Sequence, residues 1–308
     1  MYKNSLDLAR QVEKMGYTRF WLAEHHNMKS IASSATAVLI GYIAGGTSKI
    51  RVGSGGIMLP NHSPLIVAEK FGTLGQLYPE RIDLGLGRAP GTDQTTAHEI
   101  RSDRMQSVHR FPEEVDKIQD YFSIQSAPRK VRAKVAEGVD VPMYILGSST
   151  DSAHLAAKKG LPYVFASHFA PVQLHQALDI YRKEFQASAY LDKPYCIAGI
   201  NVIVADTTEE AKQLSTSMLR MIVGVLTQKM DYLQKPEAFT KEYEELQSHS
   251  AIQQMNKYAF VGDRDKVKAE TQKFLESTSV DELMVSSNIY EHEKRVKSYQ
   301  IFSEIMKS

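Results

Sequence analysis

The sequence predicts an α/β fold and, within that class, a (β/α)8 TIM barrel formed by one domain over residues 1–308. Short apolar strands alternate with amphipathic helices along almost the whole chain. Strands that are apolar on both faces are typical of a parallel sheet covered by helices. The Gly-rich fingerprint that opens a doubly wound dinucleotide-binding sheet is missing from the first strand–helix unit. These observations favour a closed barrel over an open sheet.

Seven strands are predicted, nearly all of them followed by a helix. Ser63-Pro64 predicts one helix start, with Ser63 as N-cap, and Thr207 with Glu210 predicts a capping box at another. Residues 228–258 are polar and interrupt the alternation, so we expect an insertion or lid there. The chain begins in a helix, and we therefore expect that the first barrel strand is missing because the numbered sequence starts late. The predicted strands cover residues 19–23, 50–59, 81–87, 142–146, 163–166, 196–204 and 281–286.

Composition excludes several classes of function. A net charge of +1 with dispersed basic residues argues against an extended nucleic-acid surface. Cys196 is the only cysteine, which excludes a disulfide within the chain and a cysteine-based zinc site, and its apolar neighbours indicate a packing role. The sequence lacks an apolar run of membrane-spanning length and a secretion signal at its start. We therefore expect a cytoplasmic protein.

Polar residues follow several predicted strands, at the end of a barrel where active sites lie. Glu24-His25-His26 places a carboxylate and two imidazoles after the first strand, and these are equally compatible with proton transfer and with an ordinary loop. Gly55-Gly56 within a strand indicates a bulge, a bend or a close backbone approach. Arg88 follows another strand, and hydroxyls at Ser148, Ser149 and Ser152 begin a helix. A guanidinium and a helix N-terminus favour a phosphate site.

A metal site is the less favoured interpretation of the histidines. Adjacent imidazoles such as those of His25 and His26 point in different directions and chelate one ion poorly. The His-x-His pattern typical of barrel metallohydrolases is missing from the chain. We therefore predict no metal. The histidines that could supply nitrogen ligands are His25, His26, His62, His98, His109 and His168.

Several of these segments together resemble the bacterial luciferase-like flavin monooxygenase family. The resemblance runs in order along nearly the whole chain and ends at residues 281–285. It is carried by residues 20–26, 51–64, 81–91 and 147–153.

The resemblance implies a luciferase-like (β/α)8 barrel that binds reduced FMN (FMNH2) supplied by a separate flavin reductase. It implies a monooxygenase that oxygenates a small organic substrate with dioxygen through a C4a-(hydro)peroxyflavin. His25 matches the family's catalytic histidine, and a non-prolyl cis peptide would fall on Gly55-Gly56. A homodimer is also implied. The implied cofactor-binding residues are Glu24, Ser54, Gly55, Gly56, Arg88, Ser148, Ser149 and Ser152.

Departures from the family pattern leave two alternatives open. The first strand is not in this chain, Gly87 stands where luciferase has a reactive cysteine, and Ser148 stands where luciferase has a carboxylate. One alternative is an F420-dependent oxidoreductase that transfers hydride. The other is a non-catalytic flavin-binding protein. The sequence does not identify the substrate.

Overall fold

The computed structural model describes residues 2–124 and 130–308, which form two compact units. Residues 2–13 and 17–146 make up the first unit, and residues 14–16 and 147–308 make up the second. None of the helices in the described residues combines the length and apolar character needed to cross a bilayer.

The first unit contains four strands joined in parallel. They pair in the order β1, β2, β3, β4, and Trp21 of β1, Gly53 of β2 and Asp83 of β3 lie side by side in register. β3 is buried at every residue, as expected for a strand covered on both faces. The strands are β1 (Arg19–Leu22), β2 (Arg51–Met58), β3 (Ile82–Gly87) and β4 (Met143–Gly147). The helices are α1 (Tyr2–Met15), α2 (Thr36–Gly45), α3 (Pro64–Leu77), α4 (Gln94–Ile100), α5 (Arg104–His109) and α6 (Phe111–Phe122), with a 3-10 turn at Leu59–Asn61.

The second unit is built around one long, fully buried strand. This strand, β6, pairs in parallel with β5, β7 and β8. The strands are β5 (Tyr163–Phe165), β6 (Cys196–Val204), β7 (Ala259–Gly262) and β8 (Glu282–Ser286). The helices are α7 (Thr150–Lys159), α8 (Leu174–Glu184), α9 (Thr208–Leu226), α10 (Lys241–Ser248), α11 (Ser250–Met255), α12 (Arg264–Thr278) and α13 (His292–Ile305).

The predicted strands and helix starts are mostly confirmed. All seven predicted strands are present, and the Thr207 side chain caps α9 by accepting the N–H of Glu210. Two expectations were wrong in detail. β7 was not predicted, because four residues directly after a polar stretch carry little strand signal. Ser63 occupies the N-cap position of α3, but its side chain makes no capping hydrogen bond.

Residues 228–258 form a packed excursion on α9. The Ser217 hydroxyl donates to the carbonyl of Gln234 (2.7 Å), and the N–H of Glu237 donates to Thr216 Oγ1 (2.9 Å). Ile252 of α11 lies in the same apolar cluster as Leu219. The buried Cys196 is a core residue, as predicted, and burial raises the pKa of its thiol to about 12.

A buried carboxylate joins the strands of the first unit. Asp83 is fully buried and accepts hydrogen bonds from Arg19 (2.7 Å), Arg51 (2.8 Å) and the indole N–H of Trp21 (2.9 Å). Arg19 also donates to the Tyr144 hydroxyl of β4 (2.8 Å). The network therefore ties all four strands of this unit together through side chains.

Removal of the Asp83 charge should destabilise the protein strongly. Asp83→Asn leaves two guanidinium groups near a neutral amide, and loss of one member of a buried ion pair costs about 3–5 kcal/mol. We expect urea denaturation to show a loss in this range. Asp206→Asn is the matched control, because Asp206 pairs with Lys297 at the surface. The control should lose less than about 1 kcal/mol, and equal losses for the two variants would contradict the structural role of Asp83.

Candidate active site

The ends of β2 and β3 approach each other with almost no side chains between them. The pairing shifts between Ser54 and Ile57, so the irregularity expected at Gly55-Gly56 as a bulge, a bend or a close backbone approach is present, and the peptide bond joining these two glycines is cis. A Cβ on Gly85 would lie 2.2 Å from the carbonyl oxygen of Ser54. The Ser54 hydroxyl donates to the carbonyl of Gly85 (2.9 Å) and accepts its N–H (3.0 Å). These two hydrogen bonds hold β2 against β3 at the bulge. Ser54 is fully buried.

Glu24 lies at the centre of a hydrogen-bonded cluster that the sequence did not reveal. Its carboxylate accepts from Nε2 of His26 (2.9 Å), from Nε2 of His62 (2.9 Å) and from the N–H of Met58 (3.2 Å). Burial acts to raise the pKa of Glu24, but these hydrogen bonds outweigh burial and hold the pKa below the usual 4.5. The side chain is 1% exposed, so the geometry favours a positioning role for Glu24 over direct contact with a cofactor.

His25 uses a different ring nitrogen for its hydrogen bond from the one that His26 and His62 use. Its Nδ1 lies 3.0 Å from the carbonyl oxygen of Gly91, and a carbonyl can only accept, so Nδ1 carries the proton in the neutral ring. Nε2 then carries the lone pair. In His26 and His62, by contrast, Nε2 must carry the proton because it faces the Glu24 carboxylate. The half-buried His25 therefore offers Nε2 as an atom that can accept a proton.

The loop that follows β3 is joined to the loop that follows β1. The Gly91 carbonyl accepts the N–H of His26 (3.3 Å), and Thr92 Oγ1 donates to the carbonyl of His26 (2.8 Å). Gly91 has φ +66°, and a Cβ there would lie 2.7 Å from the carbonyl oxygen of Glu24. Gly91 is thus required for the two loops to meet. Arg88 begins this loop and is exposed.

His62 is positioned by a residue that sequence analysis missed. Arg101 Nη1 donates to the backbone carbonyl of His62 (2.7 Å), and its Nη2 lies 3.8 Å from a carboxylate oxygen of the buried Glu114. The sequence did contain a signal for His62 itself, because Asn61-His62 follows β2 closely. Among the described residues, no group of histidine, cysteine, aspartate or glutamate side chains is arranged to hold a metal ion.

The three serines of the predicted phosphate site lie in the second unit, at the start of α7. Ser149 occupies the N-cap position but its side chain makes no capping bond, and Ser148 is exposed. Ser152 donates its hydroxyl to the carbonyl of Ser149 (2.6 Å) and lies 3.0 Å from the Tyr163 hydroxyl. Ser148 and Ser149 therefore keep hydroxyls suited to an anion, whereas the proton of Ser152 is used internally.

An α/β fold with polar side chains at the ends of its parallel strands is typical of enzymes, and comparison with known proteins gives the family. The model of the luciferase-like monooxygenases matches residues 1–282. The chain is 46% identical over 304 residues to a luciferase-like monooxygenase of Escherichia coli (strain K12), covering 99% of this chain and 91% of that one. It is 30% identical over 318 residues to the N-acetyl-S-alkylcysteine monooxygenase of Bacillus subtilis (strain 168), covering 98% and 91%. The chain belongs to the luciferase-like monooxygenase family.

Solved structures confirm the luciferase-like barrel class of fold. Apo-MsnO8 matches with a TM-score of 0.91 and 32% identity, covering 99% of this chain and 92% of that chain. The oxygenating component of 3,6-diketocamphane monooxygenase from Pseudomonas putida, solved with FMN, matches at 0.75 and 17% over 98% and 91%. An F420-dependent secondary alcohol dehydrogenase matches at 0.74 and 16% over 99% and 94%. Likeness at this low identity concerns the fold alone.

The Glu24 cluster predicts a definite dependence of stability on pH. A carboxyl group whose pKa is lowered by folding stabilises the protein above its unfolded pKa, and that contribution is lost as the pH falls through the folded pKa. Glu24→Gln should therefore lose about 1–3 kcal/mol at pH 7. The difference between wild type and variant should shrink below pH 4.5.

Urea denaturation between pH 3 and 7 measures this difference. Glu99→Gln is the control, because Glu99 is exposed on α4 and should show little effect at any pH. A difference between wild type and Glu24→Gln that grew on acidification would contradict the lowered pKa of Glu24.

Proposed function

We propose that the protein is an FMN-dependent monooxygenase that uses reduced FMN and dioxygen to oxygenate a small organic substrate. The overall reaction balances when one oxygen atom enters the substrate, the other leaves as water and reduced FMN becomes oxidised FMN. The observation that carries the proposal is the orientation of His25, whose Nδ1 is bound to the Gly91 carbonyl while Nε2 remains available. Membership of the luciferase-like monooxygenase family supports it.

The residues present suit a flavin phosphate and a buried reaction centre. When bound, reduced FMN would supply the electrons that activate dioxygen. The exposed guanidinium of Arg88 and the hydroxyls of Ser148 and Ser149 are suited to phosphate oxygens, and the first N–H groups of α7 carry the positive end of its dipole. His25 would hold or move a proton at Nε2.

The proposal also includes a lid that excludes water, a homodimer and a flavin reductase. Residues 228–258, of which Gln234 and Ile252 pack on α9, would act as a lid over the second unit. A homodimer would bury the exposed apolar residues of α2, among them Val38 (71% exposed) and Tyr42 (43% exposed). A separate flavin reductase would supply reduced FMN.

His25→Ala should abolish oxygenation while leaving the affinity for FMN nearly unchanged. Loss of a general acid or base typically slows turnover by 10²–10⁴-fold. The measurement is oxygen uptake with enzymatically supplied reduced FMN and a panel of aldehydes, thioethers and ketones. His98→Ala, on the exposed face of α4, is the control. Substrate-dependent turnover that survives in His25→Ala would remove the proposed role, and reduction of substrate by F420H2 without oxygen uptake would replace FMN by deazaflavin.

Arg88→Ala should weaken binding of FMN by about ten- to a hundredfold, the loss expected for one charge-assisted hydrogen bond. Binding of riboflavin, which lacks the phosphate, should be unaffected. Trp21 is the only tryptophan, so quenching of its fluorescence by energy transfer to the flavin measures both affinities. Arg110→Ala, which alters an exposed arginine that follows α5 and bonds Gln106 of that helix, is the control. Equal losses for FMN and riboflavin would contradict phosphate binding by Arg88.

A further inference from the structure

Met58 ends β2 at the point where the candidate site is assembled. It is the register partner of Gly87, the last residue of β3, and it is half-buried. Its backbone N–H donates to a carboxylate oxygen of Glu24 (3.2 Å). The strand pairing and this hydrogen bond therefore fix the backbone of Met58, and its side chain extends from a fixed point.

The thioether side chain of Met58 fills the space that two glycines leave open. A Cβ on Gly87 would lie 2.8 Å from Cε and 3.3 Å from Sδ of Met58, and a Cβ on Gly91 would lie 3.0 Å from its Cγ. Methionine is flexible enough to fill an irregular gap of this kind. The side chain thus lies against both the end of β3 and the loop that follows it, and little space remains beside its sulfur atom.

Gly91 connects Met58 with His25. The Gly91 carbonyl accepts the proton on Nδ1 of His25 (3.0 Å) and the N–H of His26 (3.3 Å). The first of these bonds decides which nitrogen of His25 keeps its lone pair. A larger or more polar group on the Met58 side chain would displace Gly91, and the orientation of His25 would change with it.

A sulfur atom at this place is exposed to the by-product of an oxygenase. When dioxygen takes two electrons and two protons from reduced FMN and no substrate is present, the products are oxidised FMN and hydrogen peroxide. Peroxide oxidises the thioether of methionine to a sulfoxide, which is polar. Because Met58 is half-buried rather than enclosed, part of its side chain is open to so small a molecule.

We propose that Met58 is a peroxide-sensitive modification site, and that its oxidation inactivates the protein. The sulfur lone pair attacks one oxygen of hydrogen peroxide and the O–O bond breaks. The sulfur keeps that oxygen as a sulfoxide, and the other oxygen leaves with both protons as water. Sulfur loses two electrons, which the peroxide gains. This inference rests on the proposed function for its source of peroxide.

The structural consequence follows from the neighbours of the sulfur atom. The new oxygen is added where Gly87 and Gly91 have no side chain that could donate a hydrogen bond to it. The strand pairing fixes Met58, so the loop at Gly91 is the part that moves. Movement of that loop removes the bond that holds Nδ1 of His25.

Treatment with dilute hydrogen peroxide tests the modification in the absence of flavin. Mass spectrometry of tryptic peptides gives the oxidised fraction of each methionine, and thermal unfolding before and after treatment gives the change in Tm. Met58→Leu keeps an apolar side chain of similar volume and removes the sulfur. Met58→Ile provides the same comparison if the leucine variant does not fold. Met306→Leu is the matched control, since Met306 is 48% exposed directly after α13.

We expect Met58 to gain one oxygen atom and the Tm to fall in the treated wild type and in Met306→Leu. The Tm of Met58→Leu should change little. Substrate-dependent oxygen uptake, each protein being compared with its own untreated sample, should fall at least about tenfold in wild type because His25 loses its orientation. Catalase added during turnover should slow that loss.

Two results would overturn the inference. One is an unmodified Met58 in protein whose Met306 is oxidised. The other is an equal loss of Tm and of turnover in wild type and Met58→Leu. Absence of substrate-dependent oxygen uptake in the untreated wild type would instead contradict the proposed function, and the flavin-free measurements would still decide whether Met58 is the sensitive site.

Discussion

The close approach of β2 and β3 is the constraint on which the first unit depends. Gly53 leaves room for Trp21 and Asp83 to meet across the sheet, because a Cβ there would lie 2.5 Å from the Asp83 carbonyl oxygen. Further along, Gly85 admits the backbone of Ser54, whose hydroxyl then bridges the two strands. Larger residues at these positions would separate the strands. The ends that carry the candidate site would then lose their relative positions.

The buried polar groups of the protein fall into two kinds, which differ in whether protein partners use their hydrogen-bonding capacity. Asp83, Glu24 and Ser54 are buried and their hydrogen-bonding capacity is used by protein partners. Such groups fix geometry and have little left for a ligand. His168 and Ser287 are held in equally ordered surroundings but keep buried atoms without a partner in the described residues.

The sequence predicted the strands well where burial dominates. β3 and β6 are mostly apolar and buried at every residue, and the polar residues after the strands are located by them. β7 was not predicted because its four residues follow a polar stretch, and only two of them are large and apolar. The short helices α4 and α5 lack a periodic apolar face that could have revealed them.

The partners of Glu24 could not be predicted from sequence for a different reason. His62 is 38 residues away and reaches Glu24 only because of the register of β1 and β2. Gly91 illustrates the same limit. The structure shows a left-handed residue there that admits the carbonyl of Glu24, a contact with no signal in the sequence. Pattern reasoning found these positions but could not assign their contacts.

The division of work among the histidines follows from which nitrogen each uses for its fixed bond. Glu24 fixes His26 and His62 through Nε2, so the Nε2 proton of each ring is held by a carboxylate whose pKa lies below 4.5. His25 is fixed through Nδ1 to a backbone carbonyl, which has no titratable charge. Since Glu24 is fully engaged with other partners, it does not act as a proton acceptor for His25. In the proposed function, proton exchange at His25 Nε2 would therefore occur with a bound ligand or with water, and exclusion of water from that nitrogen would favour the ligand.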